Sequence, residues 1–434
     1  MTDSVAPANP NAAPHADART AACTIISPNY LAYARTLAGS YLAQHPGHQF
    51  FVLIVADLTD PAPFANEPFQ TVMLPALDIP DLRGEAMKYE ILELNTNVKP
   101  TFMKHLFTTY ALDHLLYLDP DIFCYSPLTP VFEALETHDA VLTPHITTPM
   151  DDGKSPSEQD HLYNGTYNLG FFATRNTPEG IRILSWWERR CLDNGFSEGR
   201  TGLFVDQKWM NLLPGLFAQV AILRYPGTNM AYWNLHERSL APGDLAIPQV
   251  LSPTTTVGPV PLCFFHFSGI VPADPTSLSQ HTNRSTLAGR PDLQPLFLAY
   301  KAAILANKDQ KLESLPYGFD TFSDGTVLTR LARRIYAVHK QHFPEPDPFD
   351  ARGPFAVFAR AEKLVAGKAA LPKATWKQFS PTDRRVQTVH KLLRVALRTL
   401  GPNRYELLMR YVAFIAVLRH QSVFLNRSLP KTSK

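Results

Sequence analysis

At 434 residues, 45% apolar and 18% charged, the chain is long enough for two or three units, each with its own core. Lys and Arg number 41 against 39 Asp and Glu, a net charge of +2 that excludes a globally basic nucleic-acid binder. The 38 prolines imply many loops and irregular segments.

Residues 1–20, "MTDSVAPANPNAAPHADART", are polar and rich in Ala and Pro, so a tail without fixed structure is expected there. It has no apolar stretch behind a basic start, and no secretory signal is expected. No run of about 18 apolar residues calls for a membrane span. Cys23, Cys124, Cys191 and Cys263 lie far apart in apolar stretches, which suits reduced core residues of a cytoplasmic protein.

"CTIIS" (23–27) reads as a strand, "YLAYARTLAGSYLAQ" (30–44) as a helix with apolar residues at helical spacing, and "FFVLIVAD" (50–57) as a buried parallel strand. This β-α-β opening predicts an α/β fold with a right-handed crossover. "KPTFMKHLFTTYAL" (99–112) is a helix with Pro100 in its first turn. It leads into "LLYLDPDIFCYSPL" (115–128), where an apolar strand ends at Asp119 and Asp121. Further strands are predicted at 168–174, 220–225 and 262–267, with helices at 181–192 and 206–213. The polar segment 145–163 reads as a long surface loop, a candidate lid. From 371 to 434 there are 13 Lys and Arg against 2 acids, a net of 13 − 2 = +11. Two helices, around 386–400 and 405–420, have amphipathic spacing there. That pattern fits either peripheral contact with an anionic membrane or a solvated basic face on an accessory bundle.

Asp119 and Asp121, two residues apart on an extended segment stiffened by Pro120, would converge at the carboxyl edge of the sheet, where ligands bind in open α/β folds. Two carboxylates repel unless a cation lies between them, so Mn²⁺ or Mg²⁺ bridging a phosphate is expected. His266, ending "LCFFHF", is a third candidate ligand, and a mixed oxygen–nitrogen set favours Mn²⁺ over a pure oxygen cage. Asp206, at a helix start, doubles as a candidate N-cap. "TNMAYWNLHER" (228–238) is rich in aromatic and polar residues that could stack on and bond a ligand, with Trp233 and Asn234 the candidates for contact to a sugar if the resemblance below holds.

"HLLYLDPDIFCYSPL" resembles the DXD segment of bacterial nucleotide-sugar-dependent glycosyltransferases with the GT-A fold, nearest to the retaining family 8. "YNGTYNLGFFA", "FVDQKWMNLL" and "FFHFSG" are similar to that family's later motifs in the same order, and the resemblance covers residues 22–290. It implies a mixed central sheet flanked by helices, with a mainly helical C-terminal extension. The expected divisions are a tail (1–20), the catalytic domain (21–290), an accessory segment (291–370) and the basic helical region (371–434). The resemblance also implies residue roles. Asn168 and Gly170 would line the donor sugar. Gln207 would lie under the anomeric carbon, with Asp206 orienting hydroxyls. His266 would be the third metal ligand, and Gly269 would approach the diphosphate. The family's lysine after this last motif is missing, so His281 and Arg284 stand in as cations. Lys99 replaces its arginine before the metal strand. Asn29 and Tyr30, after the first strand, would hold the base and ribose. The implied function is transfer of a sugar, from a UDP-sugar for preference, to a glycan or lipid-linked acceptor in cell-surface polysaccharide synthesis. A phosphatase using the Asp-x-Asp pair and a non-catalytic carbohydrate-binding protein are the competing readings.

Overall fold

A computed structural model describes residues 19–255, 258–365, 367, 380 and 382–425. The expected N-terminal tail therefore lies almost wholly outside the described residues, as does 371–379. Compactness divides the chain differently from the boundaries expected above. One unit holds the residues up to Pro80 and Ile91–Gly318, and the other holds Asp81–Glu90 and Phe319 onward.

The first unit is built on a seven-stranded sheet. Its strands are β1 (Thr20–Ile26), β2 (Gln49–Ile54), β3 (Gln70–Met73), β4 (His114–Leu118), β6 (Ala140–Leu142), β7 (Phe171–Arg175) and Val220–Ile222; β5 (Ile122–Cys124) belongs to a second sheet. The order is Val220–Ile222, β6, β7, β4, β1, β2, β3. Strands β3, β2, β1 and β4 run parallel, and β7 is antiparallel to both β4 and β6. The expected mixed α/β sheet is present. Every residue of β1 is buried, Thr20 and Thr24 included, as suits a central strand covered on both faces. Helix Leu31–Gln44 packs Leu31, Ala34, Leu37, Ala38 and Tyr41 into the same core as β1, β2 and β4. All four cysteines are free and buried, matching their assignment to the core.

Three local expectations shift. The segment 206–213 is mostly a short 3-10 helix, Lys208–Leu212, whose N-cap position is Gln207 rather than Asp206. Segment 145–163 contains a helix, Glu158–Asn164, started by a capping box between Ser157 and Asp160. The chain between Asp119 and Ile122 is a turn rather than an extended run, closed by the Ile122 N–H donating to the Asp119 carbonyl at 3.1 Å. Proline at the second position favours such a turn.

In the second unit, helix Leu82–Lys88 is capped by Asp81, whose carboxylate accepts from the Gly84 N–H. Two buried arginines serve its other end. Arg333 donates to the carbonyls of Ala86, Met87 and Tyr89, and Arg334 to that of Lys88. The last carbonyls of a helix have no intrahelical donor, so these guanidinium groups satisfy them away from water. Helix Arg384–Ile415 carries a break at Gly401, whose φ of 71° suits glycine, followed by Pro402. None of its residues is buried. Val389, Leu392, Val395, Leu407, Tyr411 and Phe414 are each more than half exposed. Among the described residues no single helix is long and apolar enough to cross a membrane.

Candidate metal and donor site

The site begins at the end of β4. Leu115, Leu116 and Leu118 are fully buried, and the Asp119 N–H donates to the Gly170 carbonyl at 2.7 Å. After the turn, β5 pairs antiparallel with the strand Phe264–His266, and the register sets His266 opposite Ile122. Asp119, Asp121 and His266 thereby converge, with one ligand atom from each within 4.8 Å of the others. His266 Nε2 lies 2.9 Å from Asp121 Oδ1 and 3.8 Å from Asp119 Oδ2. Both carboxylates are partly open to solvent, whereas His266 is buried. Burial pushes the His266 imidazolium down, but the charge and hydrogen bond of Asp121, with Asp119 behind, push it further up, for a net rise.

These residues fit a divalent ion. Tyr117 Oη donates to Asp119 Oδ1 at 2.7 Å, which orients that carboxylate. Gly170 leaves the cluster its space: a Cβ there would lie 2.3 Å from His266 Cε1 and 2.8 Å from Asp119 Oδ2. Any side chain at 170 would displace two of the three candidate ligands.

Behind this cluster is a buried ion pair. Lys99 Nζ lies 2.7 Å from Asp206 Oδ2, donates to the Leu169 carbonyl at 2.7 Å, and sits 4.1 Å from the centre of the Tyr117 ring. Both side chains are 2% exposed. Burial raises the Asp206 carboxyl and Lys99 lowers it, with a net rise. Lys99, expected at the diphosphate, is instead enclosed with Asp206. Gln207 is also fixed: its Oε1 accepts from the Leu169 N–H and its Nε2 donates to the Asn164 carbonyl, both at 3.1 Å. Val205, just before this pair, has a φ of 42°, a strained conformation for a β-branched residue.

Other expected contacts fall differently. Asn234 is fully buried and bonded to the carbonyls of His145 and Asn229 and to the Ala231 N–H, so it knits the loop rather than facing a sugar. Trp233 is 3% exposed, with its ring edge-on to His266 at 5.1 Å. Its Nε1–H has no partner among the described residues, a donor left over beside the candidate metal ligands. Arg284 forms a bidentate pair with Asp152, at 2.6 and 2.9 Å, and donates to the Pro156 carbonyl. It clasps the 145–163 segment instead of presenting its fork to a phosphate. Gly269 has a φ of 74°, and a Cβ there would meet His281 Cδ2 at 2.5 Å. Asn29 and Tyr30 are exposed after β1, with Tyr30 stacked on Tyr33 at 4.9 Å. Burial raises the Tyr30 phenol, and the charges of Asp121 and Asp119 raise it further, which places Tyr30 within their field. Tyr117, His145 and Asn229 escaped the sequence reading. Tyr117 lies inside an apolar strand and carries no separate signal there.

No protein-family model matches the chain. It is 29% identical over 174 residues to the uncharacterized protein YfnF of Bacillus subtilis (strain 168), covering 40% of this chain and 55% of that one. It is 23% identical over 279 residues to the uncharacterized protein YfnD of the same strain, covering 64% of this chain and 82% of that one. The chain thus spans about half the length of YfnF. Among solved structures it is similar to the galactosyltransferase LgtC in complex with donor and acceptor sugar analogues, at 17% identity and a TM-score of 0.37 over 65% of this chain and 95% of that one. It is also similar to a glycosyltransferase involved in glycosylation of the major capsid of PBCV-1, at 10% identity and a TM-score of 0.30 over 49% and 84%. Likeness at this level does not fix an activity, which must be argued from the site.

Proposed function

We propose that the chain is a divalent-metal-dependent glycosyltransferase that moves a sugar from a nucleoside diphosphate donor, a UDP-sugar for preference, to a glycan or lipid-linked acceptor. The observation that supports this most is the convergence of Asp119, Asp121 and His266 over Gly170 at the carboxyl end of β4. Mn²⁺ or Mg²⁺ held there would neutralise charge on the departing diphosphate. Tyr117 holds the Asp119 carboxylate in place. Tyr30 and Asn29, exposed beyond β1, offer a stacking face and an amide to the base and ribose. Gln207, held at both ends of its amide, is a fixed dipole and a poor nucleophile. That favours front-side departure and attack, with retention at the anomeric carbon. The reading places the reaction in cell-surface polysaccharide synthesis on the cytoplasmic side.

The test is to incubate the protein with Mn²⁺ and a panel of nucleotide sugars and to measure released nucleoside diphosphate. Release from one UDP-sugar, abolished by EDTA and restored by Mn²⁺, is expected. No release from any nucleotide sugar, together with phosphate release from phosphomonoesters, would favour the phosphatase reading.

The basic helix Arg384–Ile415 suits peripheral docking on an anionic leaflet. Among the described residues its apolar side chains stand exposed, and from 384 to 424 there are eight Lys and Arg against Glu406 alone. Each cation near such a surface contributes about 1 kcal/mol, screened by salt. The full-length protein should pellet with phosphatidylserine vesicles at low salt and release as salt rises. Leu392→Glu with Leu407→Glu should weaken pelleting at least about tenfold, the loss of ~1.4 kcal/mol of apolar burial. Equal pelleting with neutral vesicles would end this part of the proposal.

A further inference from the structure

Asn168 was expected to line the donor sugar, yet it is 7% exposed and both ends of its amide are engaged within the protein. The hydrogen bonds around it form a chain whose direction is set at one end. His145 Nδ1 lies 3.2 Å from the Thr166 carbonyl, which can only accept, so Nδ1 carries the proton. Burial lowers the His145 imidazolium to about 3, so the ring is neutral and its Nε2 is a bare acceptor. Asn168 Nδ2 lies 3.4 Å from that nitrogen and must donate to it. This turns Asn168 Oδ1 the other way, toward Asn229 Nδ2 at 3.2 Å and His266 Nδ1 at 3.2 Å. Asn229 Nδ2 also donates to Thr143 Oγ1 at 2.9 Å.

A carbonyl oxygen accepts only, so His266 must carry a proton on Nδ1. Nε2 is then the nitrogen left to exchange its proton for a metal: without one it donates to Asp121 Oδ1 at 2.9 Å, and a bound ion would take its lone pair. We infer that Asn168 is a positioning residue that fixes the tautomer and ring orientation of His266 for metal binding, through a relay from the Thr166 carbonyl by way of His145. The inference rests on the metal reading proposed above. Partners behind a metal-bound histidine of this kind typically change metal affinity 10–100-fold when removed. The amide also explains why a carboxylate is absent at this place. An ionised carboxylate could accept from His266 Nδ1 but could not donate to His145 Nε2, whereas the amide does both.

The test is direct Mn²⁺ binding to the metal-free protein, followed by electron paramagnetic resonance of free Mn²⁺, with no substrate and no turnover. Asn168→Ala should lower affinity about 10–100-fold in the wild-type background and leave it unchanged in a His266→Ala background. An equal loss in both backgrounds would mean that Asn168 merely supports the fold, and no loss in either would also overturn the relay. If wild-type protein binds no Mn²⁺, the metal reading fails and takes the relay with it. A second measurement needs no folded Asn168 variant. In wild-type protein with ¹⁵N-labelled histidine, loaded with diamagnetic Zn²⁺ in place of Mn²⁺, the signal lost in His266→Ala should report a protonated Nδ1 and a metal-bound Nε2. The opposite tautomer would overturn the relay outright.

Discussion

Asp121→Ala is expected to abolish metal-dependent nucleotide release, by roughly 1,000-fold or more, equivalent to about 4 kcal/mol of transition-state stabilisation. Asp121 supplies one of three candidate ligands and makes the shortest contact to His266, at 2.9 Å. Its side chain is 21% exposed, so alanine opens no sealed cavity and the fold should persist. Initial rates with a Mn²⁺ titration, beside circular dichroism of the same sample, check both halves. Full activity of the variant, or of wild-type protein in EDTA, would remove the metal from the mechanism.

Lys99→Met should destabilise the first unit by about 3–5 kcal/mol, because it leaves the Asp206 carboxylate buried without its partner. The charge cannot escape to water, since Asp206 is 2% exposed. Adding Asp206→Leu should recover most of the loss, as replacing both members of a buried pair by apolar groups often does. Urea unfolding followed by tryptophan fluorescence reads the right region, because Trp186, Trp187, Trp209 and Trp233 all belong to that unit. If Lys99→Met unfolds at the wild-type midpoint and instead raises the donor KM, Lys99 faces the diphosphate after all.

What could be read ahead of the structure had short-range causes. Runs such as "FFVLIV" admit few alternatives to a buried strand. The Asp119–Asp121 pair stood out because a buried strand rarely ends in two acids without compensation. His266 was legible for the same reason, as a polar group ending an aromatic strand. The misplacements were all long-range. Nothing near Lys99 in sequence announces Asp206, and nothing near Arg284 announces Asp152. Each cation looked available for a phosphate because its carboxylate lay more than 100 residues away. Asn168 was assigned by resemblance, whereas its environment depends on His145, Asn229 and His266 arriving from three other segments. Around Pro120 two preferences of proline compete: it extends the residue before it, and it also favours the second position of a turn, which prevails here.

The helix Leu82–Lys88 has a consequence for biosynthesis. Its carbonyls are satisfied by Arg333 and Arg334, which leave the ribosome about 240 residues later. At roughly 5–20 residues per second, the nascent segment waits about 12–50 s for these donors. During that interval the last carbonyls of this helix lack the guanidinium donors that satisfy them in the folded chain. Until those donors arrive, the carbonyls are left to water. A message truncated after codon 318 would leave them in that state for good.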